Sequence, residues 1–202
     1  MRRIILFLVL LIIVAPAWAE PTLLVLGDSL SAGYGIDSKR GWVTLLQRRL
    51  QRSGYRYKLV NASISGDTSA GALARLPQTL QRNKPAIVIV AVGGNDGLQG
   101  LSLLEMKNNL SRIVALGKKQ GATVLLLGIR LPPNYGPAYT DVFHKTYRQV
   151  ARQNRVPLVP RFLQGVAGNS ELMQLDGIHP RAEGQARMLD NIWPRLKLML
   201  KR

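Results

Sequence analysis

The chain has 202 residues, 47% apolar and 19% charged, with no cysteine. That length and composition suit one domain with a full core. They exclude a disordered chain, a disulfide scaffold, a thiol nucleophile, a cysteine zinc site and cysteine lipidation. The formal net charge of +17 is complementary to anionic surfaces, phospholipid headgroups among them, and its sign alone names no partner.

Arg2 and Arg3 open the chain, ahead of the apolar run "IILFLVLLIIV" from Ile4 to Val14 and the small-residue ending Ala17-Trp18-Ala19. A basic start, a short apolar core and an A-x-A ending describe a cleavable secretory signal over residues 1–19. A spanning helix would need about 20 apolar residues, and Pro16 cuts this run short. Cleavage after Ala19 leaves residues 20–202 as a single domain of net charge +15, since Arg2 and Arg3 leave with the signal. The expected location is periplasmic or secreted. The basic residues are spread along the chain and no nucleic-acid motif accompanies them, so nucleic acid is not an expected partner.

In the remaining chain, "TLLVL" (22–26) is the first apolar run of strand length. "YKLVNA" (57–62), "AIVIVAV" (86–92), "ATVLLLG" (122–128) and "VPLVP" (156–160) resemble it. Runs apolar on both faces predict strands buried on both sides, as in a parallel sheet. Helical periodicity fills the gaps. In "WVTLLQRRLQ", Trp42, Leu45, Leu46 and Leu50 share a face. "SAGALARLPQTLQRN" follows the second strand. "SLLEMKNNLSRIVALGKKQ" follows the third, with a stripe of Leu103, Met106, Leu110, Ile113, Val114 and Gly117. "YTDVFHKTYRQVARQN" follows the fourth, and "RAEGQARMLDNIWPRLKLML" closes the chain. Gly54 and Gly121 sit where left-handed helix caps are wanted. Alternation of this kind predicts an α/β fold, a three-layer α/β/α sandwich with right-handed crossovers.

Ligands of such sheets bind outside the carboxyl ends of the strands. Four polar, glycine-marked loops fall there: Gly27-Asp28-Ser29-Leu30-Ser31, Ser63-Ile64-Ser65-Gly66-Asp67-Thr68, Gly93-Gly94-Asn95-Asp96 and Asp176-Gly177-Ile178-His179-Pro180. Of the two histidines, His144 lies mid-helix and reads as structural. His179 lies in a turn three residues after Asp176, whose carboxylate can reach the imidazole Nδ1–H and orient a general base. Ser29 is the natural nucleophile for that base, although serine after a strand is also a common helix cap. Gly66 offers a backbone N–H with no Cβ in the way, and Asn95 a neutral side-chain donor. Either alone is ordinary turn chemistry. Gly27 leaves room for its turn, Asp28 holds it through backbone amides, and Ser31 is assigned a helix-start role. Two histidines and no cysteine make a poor metal set.

Taken in order, "GDSLS", the glycine of "SGDT", "GGND" and "DGIHP" resemble the sequence blocks of the GDSL, or SGNH, hydrolases. The stretches "GDSLSAGYG", "ISGDTSAGALARLP", "VGGNDGL" and "RLPPNYGPAYT" are similar to the family's secreted bacterial group of multifunctional acyl-CoA thioesterases, arylesterases and lysophospholipases. The resemblance implies a flavodoxin-like five-stranded parallel sheet and a Ser29–His179–Asp176 triad. It implies an oxyanion hole of the Ser29 and Gly66 amides and the Asn95 side chain. It implies no metal or organic cofactor, and a small-molecule or lipid acyl ester as substrate. In that group the loop matching Ile129–Thr140 covers the acyl chain, and Leu98, Tyr135 and Ile178 are the acyl contacts expected here. The protein is expected to act as a monomer. Two readings of its charge stay open, electrostatic contact with an anionic membrane surface and, favoured on charge alone, a solvated basic surface that keeps the protein soluble. A carbohydrate O-acetyl esterase would share the triad, a peptidase would ask more of it, and a non-catalytic envelope-binding protein would not need it.

Overall fold

The computed structural model describes residues 20–202. The signal expected over residues 1–19 lies outside the described residues. Five strands form one parallel sheet: β1 (Thr22–Gly27), β2 (Lys58–Asn61), β3 (Ile87–Ala91), β4 (Thr123–Leu127) and β5 (Leu158–Val159). Their order is β2-β1-β3-β4-β5, the flavodoxin-like order, whose direction of winding reverses between β1 and β3. The helices are α1 (Ser29–Ala32), α2 (Trp42–Arg52), α3 (Ser69–Asn83), α4 (Gly94–Leu98), α5 (Leu103–Lys119), α6 (Pro137–Asn154) and α7 (Gln185–Lys197). α2 packs on α7, while α3 packs on α5 and α5 on α6, giving the two outer layers.

Central strands are apolar on both faces because helices cover both. Leu23 to Leu26 and Ile87 to Ala91 are buried throughout, and Leu24 pairs with Val60 on one side and Val88 on the other. Each such leucine or valine stabilises the fold by roughly 1.5–3 kcal/mol of transfer free energy. β2 departs from the expectation of burial on both faces. Lys58 and Asn61 are exposed and Leu59 and Val60 half-buried, because β2 is an edge strand with one neighbour. The helical stripes hold: Trp42, Leu46 and Leu50 of α2 and Met106, Leu110, Ile113 and Val114 of α5 are buried, with Leu45 and Leu103 half-buried beside them. α6 starts two residues before its periodic pattern, at Pro137, whose fixed φ suits a first helical position. The closing segment begins with a 3-10 turn, Ala182–Gly184, before α7. Gly54 and Gly121 adopt φ +75° and +81°.

Candidate active site

β1 delivers the Ser29 loop to the point where the sheet's winding reverses. Asp28 caps α1, its Oδ1 accepting the Leu30 N–H at 3.0 Å, and Ser29 is the first helical residue. The turn is tight because Gly27 has no side chain: a Cβ there would stand 2.5 Å from that of Ser31 and 2.6 Å from Ser63 Oγ. Ser31 does not start the helix. It lies inside α1, buried, and its hydroxyl has no hydrogen-bond partner among the described residues; the cap is Asp28.

The loop after β5 returns across the sheet edge. A bridge between Met173 and Pro180 and a Gln174 N–H donated to the His179 carbonyl at 2.8 Å close it into a hairpin. Inside that hairpin, Asp176 Oδ1 accepts the N–H groups of Ile178 (2.9 Å) and His179 (3.0 Å). Asp176 Oδ2 lies 2.7 Å from His179 Nδ1, and His179 Nε2 lies 2.8 Å from Ser29 Oγ. Burial pushes the Asp176 carboxyl up, but the donors from His179 and Ile178 outweigh it and hold the group at about 2. The carboxylate is therefore charged wherever the protein works, and it fixes the ring with Nδ1–H toward itself and the Nε2 lone pair toward the Ser29 hydroxyl. Tyr34 flanks the imidazole, with ring centroids 4.5 Å apart.

Asn95 sits against the loop that carries Gly66. Asn95 Nδ2 donates to the Asp67 carbonyl at 2.8 Å, which leaves its second N–H free to point elsewhere. Gly66 adopts φ +81°. A Cβ on Gly66 would meet no atom within 4 Å, so what the position asks of glycine is its left-handed backbone and not close space. The sequence does not single out Arg75, in the second turn of α3. Its guanidinium donates to the Asp67 carboxylate (Nε–Oδ2 2.8 Å), to the Ala62 carbonyl and to the Gly27 carbonyl (3.3 Å). One side chain thus ties the ends of β1 and β2 to the loop that carries Gly66. Asp96 was also missed. Buried beside Asn95, it accepts the Ser69 N–H at 2.8 Å and the Ser69 hydroxyl at 2.5 Å, docking the start of α3 against α4. An arginine in mid-helix among apolar residues ("ALARLP") was the available signal.

A cavity of about 490 Å³ opens beside Ser29 and Asn95. Leu98, Ile129, Leu131, Leu163, Met173 and Ile178 give it apolar walls. Leu98 and Ile178 are thus among the residues that line this cavity. Tyr135 is not among the lining residues; from its short 3-10 turn its hydroxyl donates to the Leu98 carbonyl at 3.2 Å. His144 is buried in α6 with Nδ1 3.3 Å from the Ile129 carbonyl, and burial lowers its pKa. Among the described residues no group of three or more histidine, aspartate or glutamate side chains could hold a metal ion.

Asp28 forms part of the cavity floor and is 1% exposed. Burial, aided by the charges of Asp67 and Asp96, raises its pKa from 3.8 to about 7, against the opposing Leu30 N–H. Between those values the folded protein holds a proton that the unfolded chain has lost, so stability falls as pH rises through that window. Denaturant titrations from pH 4 to pH 7 are expected to show that slope. Asp28→Asn, which still caps α1, is expected to flatten it; an unchanged slope would assign the proton elsewhere.

The model of the GDSL-like lipase/acylhydrolase family matches residues 25–187. Esterase TesA of Pseudomonas aeruginosa is 53% identical over 190 residues, 94% of each chain. Thioesterase 1/protease 1/lysophospholipase L1 of Escherichia coli K12 is 43% identical over 184 residues, 91% of this chain and 87% of that one. A crystal structure of TesA superposes with a TM-score of 0.88 at 55% identity, over 89% of this chain and 99% of the other. With its sheet order, its four strand-end loops and these relatives, the chain belongs to the GDSL-like lipase/acylhydrolase family and is a hydrolase of ester bonds.

Proposed function

We propose that the protein is an exported serine esterase that cleaves acyl esters and thioesters through an acyl-enzyme, with Ser29 as nucleophile. The observation that carries this reading is the unbroken chain of contacts Asp176 Oδ2–His179 Nδ1 (2.7 Å) and His179 Nε2–Ser29 Oγ (2.8 Å) at the mouth of an apolar cavity. As Ser29 Oγ attacks the carbonyl carbon, its proton passes to His179 Nε2, and Asp176 stabilises the imidazolium. The carbonyl oxygen becomes an oxyanion, received by the Ser29 and Gly66 N–H groups and the free N–H of Asn95. His179 then gives its proton to the departing alcohol or thiol. Water, deprotonated by the same ring, releases the acid and regenerates Ser29.

The acyl chain lies along Leu98, Leu131 and Ile178. Walls of this kind favour medium and longer chains, because each methylene removed from water contributes about 0.8 kcal/mol. The names arylesterase and lysophospholipase borne by relatives fit aryl esters, lysophospholipids and acyl-CoA as substrates. Residues 1–19 act as the export signal, removed after Ala19, and the enzyme works as a monomer in the periplasm or outside the cell, needing no cofactor.

A series of p-nitrophenyl esters and acyl-CoA thioesters from acetyl to dodecanoyl tests the substrate class. kcat/KM is expected to climb up to about fourfold per methylene until the cavity fills. A preference for acetyl over octanoyl would instead favour a carbohydrate O-acetyl esterase.

A further inference from the structure

The charges that are scattered in the sequence are segregated in the fold. Of the 11 acidic residues, all but Glu20 and Asp190 sit in loops or in the first two turns of helices at the carboxyl edge of the sheet, around the active site. Half of the basic residues of 20–202 collect at the opposite edge, while Lys39, Arg40, Arg130, Arg161 and Arg181 lie among the acids of the active-site edge. Helices that leave the carboxyl edge must return to the amino edge to start the next strand, and every long one ends in basic residues. Arg52 closes α2, Arg82 closes α3, Lys118 and Lys119 close α5, Arg152 closes α6, and Arg195 and Lys197 close α7. The non-helical residues at that edge continue the pattern. Lys84 and Arg155 take the left-handed positions just past α3 and α6, and Arg56 and Lys58 lead into β2. Lys201 and Arg202 are drawn in by the Tyr57 hydroxyl and the Tyr55 ring. All of these side chains are exposed. The only acidic side chain at that edge among the described residues is Glu20.

Helix dipoles favour a cation in each last turn, which accounts for single residues. They do not account for Arg56, Lys58, Lys201 and Arg202, nor for the near absence of counter-charges. We propose that this basic edge is a docking surface for anionic phospholipid headgroups, holding the enzyme on a bilayer with its active site facing away from it. The form of the surface selects a bilayer. The surface is a broad array of separate helix ends, suited to many headgroups at once, and each near-surface cation contributes several-fold to binding. The inference rests on the reading of the protein as an exported acyl hydrolase, with the substrate reaching the site from the aqueous side.

The test is cosedimentation of the protein recovered from the exported fraction with phosphatidylglycerol/phosphatidylcholine vesicles or with phosphatidylcholine alone. A water-soluble aryl ester is assayed in parallel, so failure of the esterase reading would register separately from failure to bind. The expected result is salt-sensitive binding to the anionic vesicles only, with ester turnover unchanged on the vesicle. Arg82→Gln, Lys119→Gln and Arg152→Gln together should weaken binding about tenfold or more and leave turnover intact. Equal binding to both vesicles, or no binding to the anionic ones at low salt, would overturn the proposal. So would blocked turnover on the vesicle, or loss of binding in Leu104→Ser/Leu175→Ser, two exposed leucines at the opposite, active-site edge. Binding to a duplex oligonucleotide but not to vesicles would replace the bilayer with nucleic acid.

Discussion

Ser29→Ala is expected to lower kcat on an aryl ester by roughly 10⁴ or more and to abolish the covalent adduct with an organophosphonate, read by mass spectrometry. The reasoning is geometric. Ser29 Oγ is the only hydroxyl that contacts His179 Nε2 among the described residues. Ser31 Oγ, two residues on, is buried and without a partner, and Ser63 Oγ is committed to Asn61 at 2.6 Å. Neither can take over a proton transfer that needs hydrogen-bond reach to the base. The fold should survive, because Asp28 caps α1 and alanine is a good helix former. A melting temperature close to that of the parent therefore separates lost chemistry from lost structure. An adduct that persists in the variant would mean a different nucleophile.

What the sequence made legible divides along a physical line. Strands are legible as short apolar runs and helices through a period of 3.6, and the four loops are legible because glycine, asparagine and aspartate cluster where strands stop. Ser29, His179 and Asp176 could be paired before any coordinates, because Asp176 and His179 are three residues apart and Ser29 ends the first strand. Other features depend on where the chain returns in space. Arg75 looks like one more surface cation of an amphipathic helix, and only the meeting of the Gly27, Ala62 and Asp67 ends gives it partners. Asp28 reads as a turn residue, and nothing local reveals that it is sealed in a cavity floor with a pKa near 7. Tyr135 is expected to contact the acyl chain because its loop matches the family's acyl-covering loop, and no sequence signal shows that its hydroxyl bonds the Leu98 carbonyl. The basic edge is the clearest case. Its residues are tens of positions apart, and crossover topology alone gathers them.

Asn95→Ala is expected to cost 10²–10³ in kcat, about 3–4 kcal/mol of transition-state stabilisation, with KM on a short aryl ester little changed. The Asn95 side chain has two N–H groups, and one is spent on the Asp67 carbonyl. The other is a neutral donor that meets negative charge only once the carbonyl has become tetrahedral, so its loss falls on the transition state and spares ground-state binding. The substitution also removes the bond to Asp67, which by itself could loosen the loop bearing Gly66. Arg75 guards against that. It holds the Asp67 carboxylate from the other side, in an ion pair whose partners are only 21% and 10% exposed, and it is tied to the ends of β1 and β2. The Gly66 donor should therefore stay in place, and the variant should still label with an organophosphonate, only more slowly. The two effects are separable by measurement. A fall in kcat with unchanged KM and melting temperature assigns the loss to the missing donor. A kcat within a few-fold of the parent would remove Asn95 from the oxyanion hole and leave the two backbone amides to hold the charge alone.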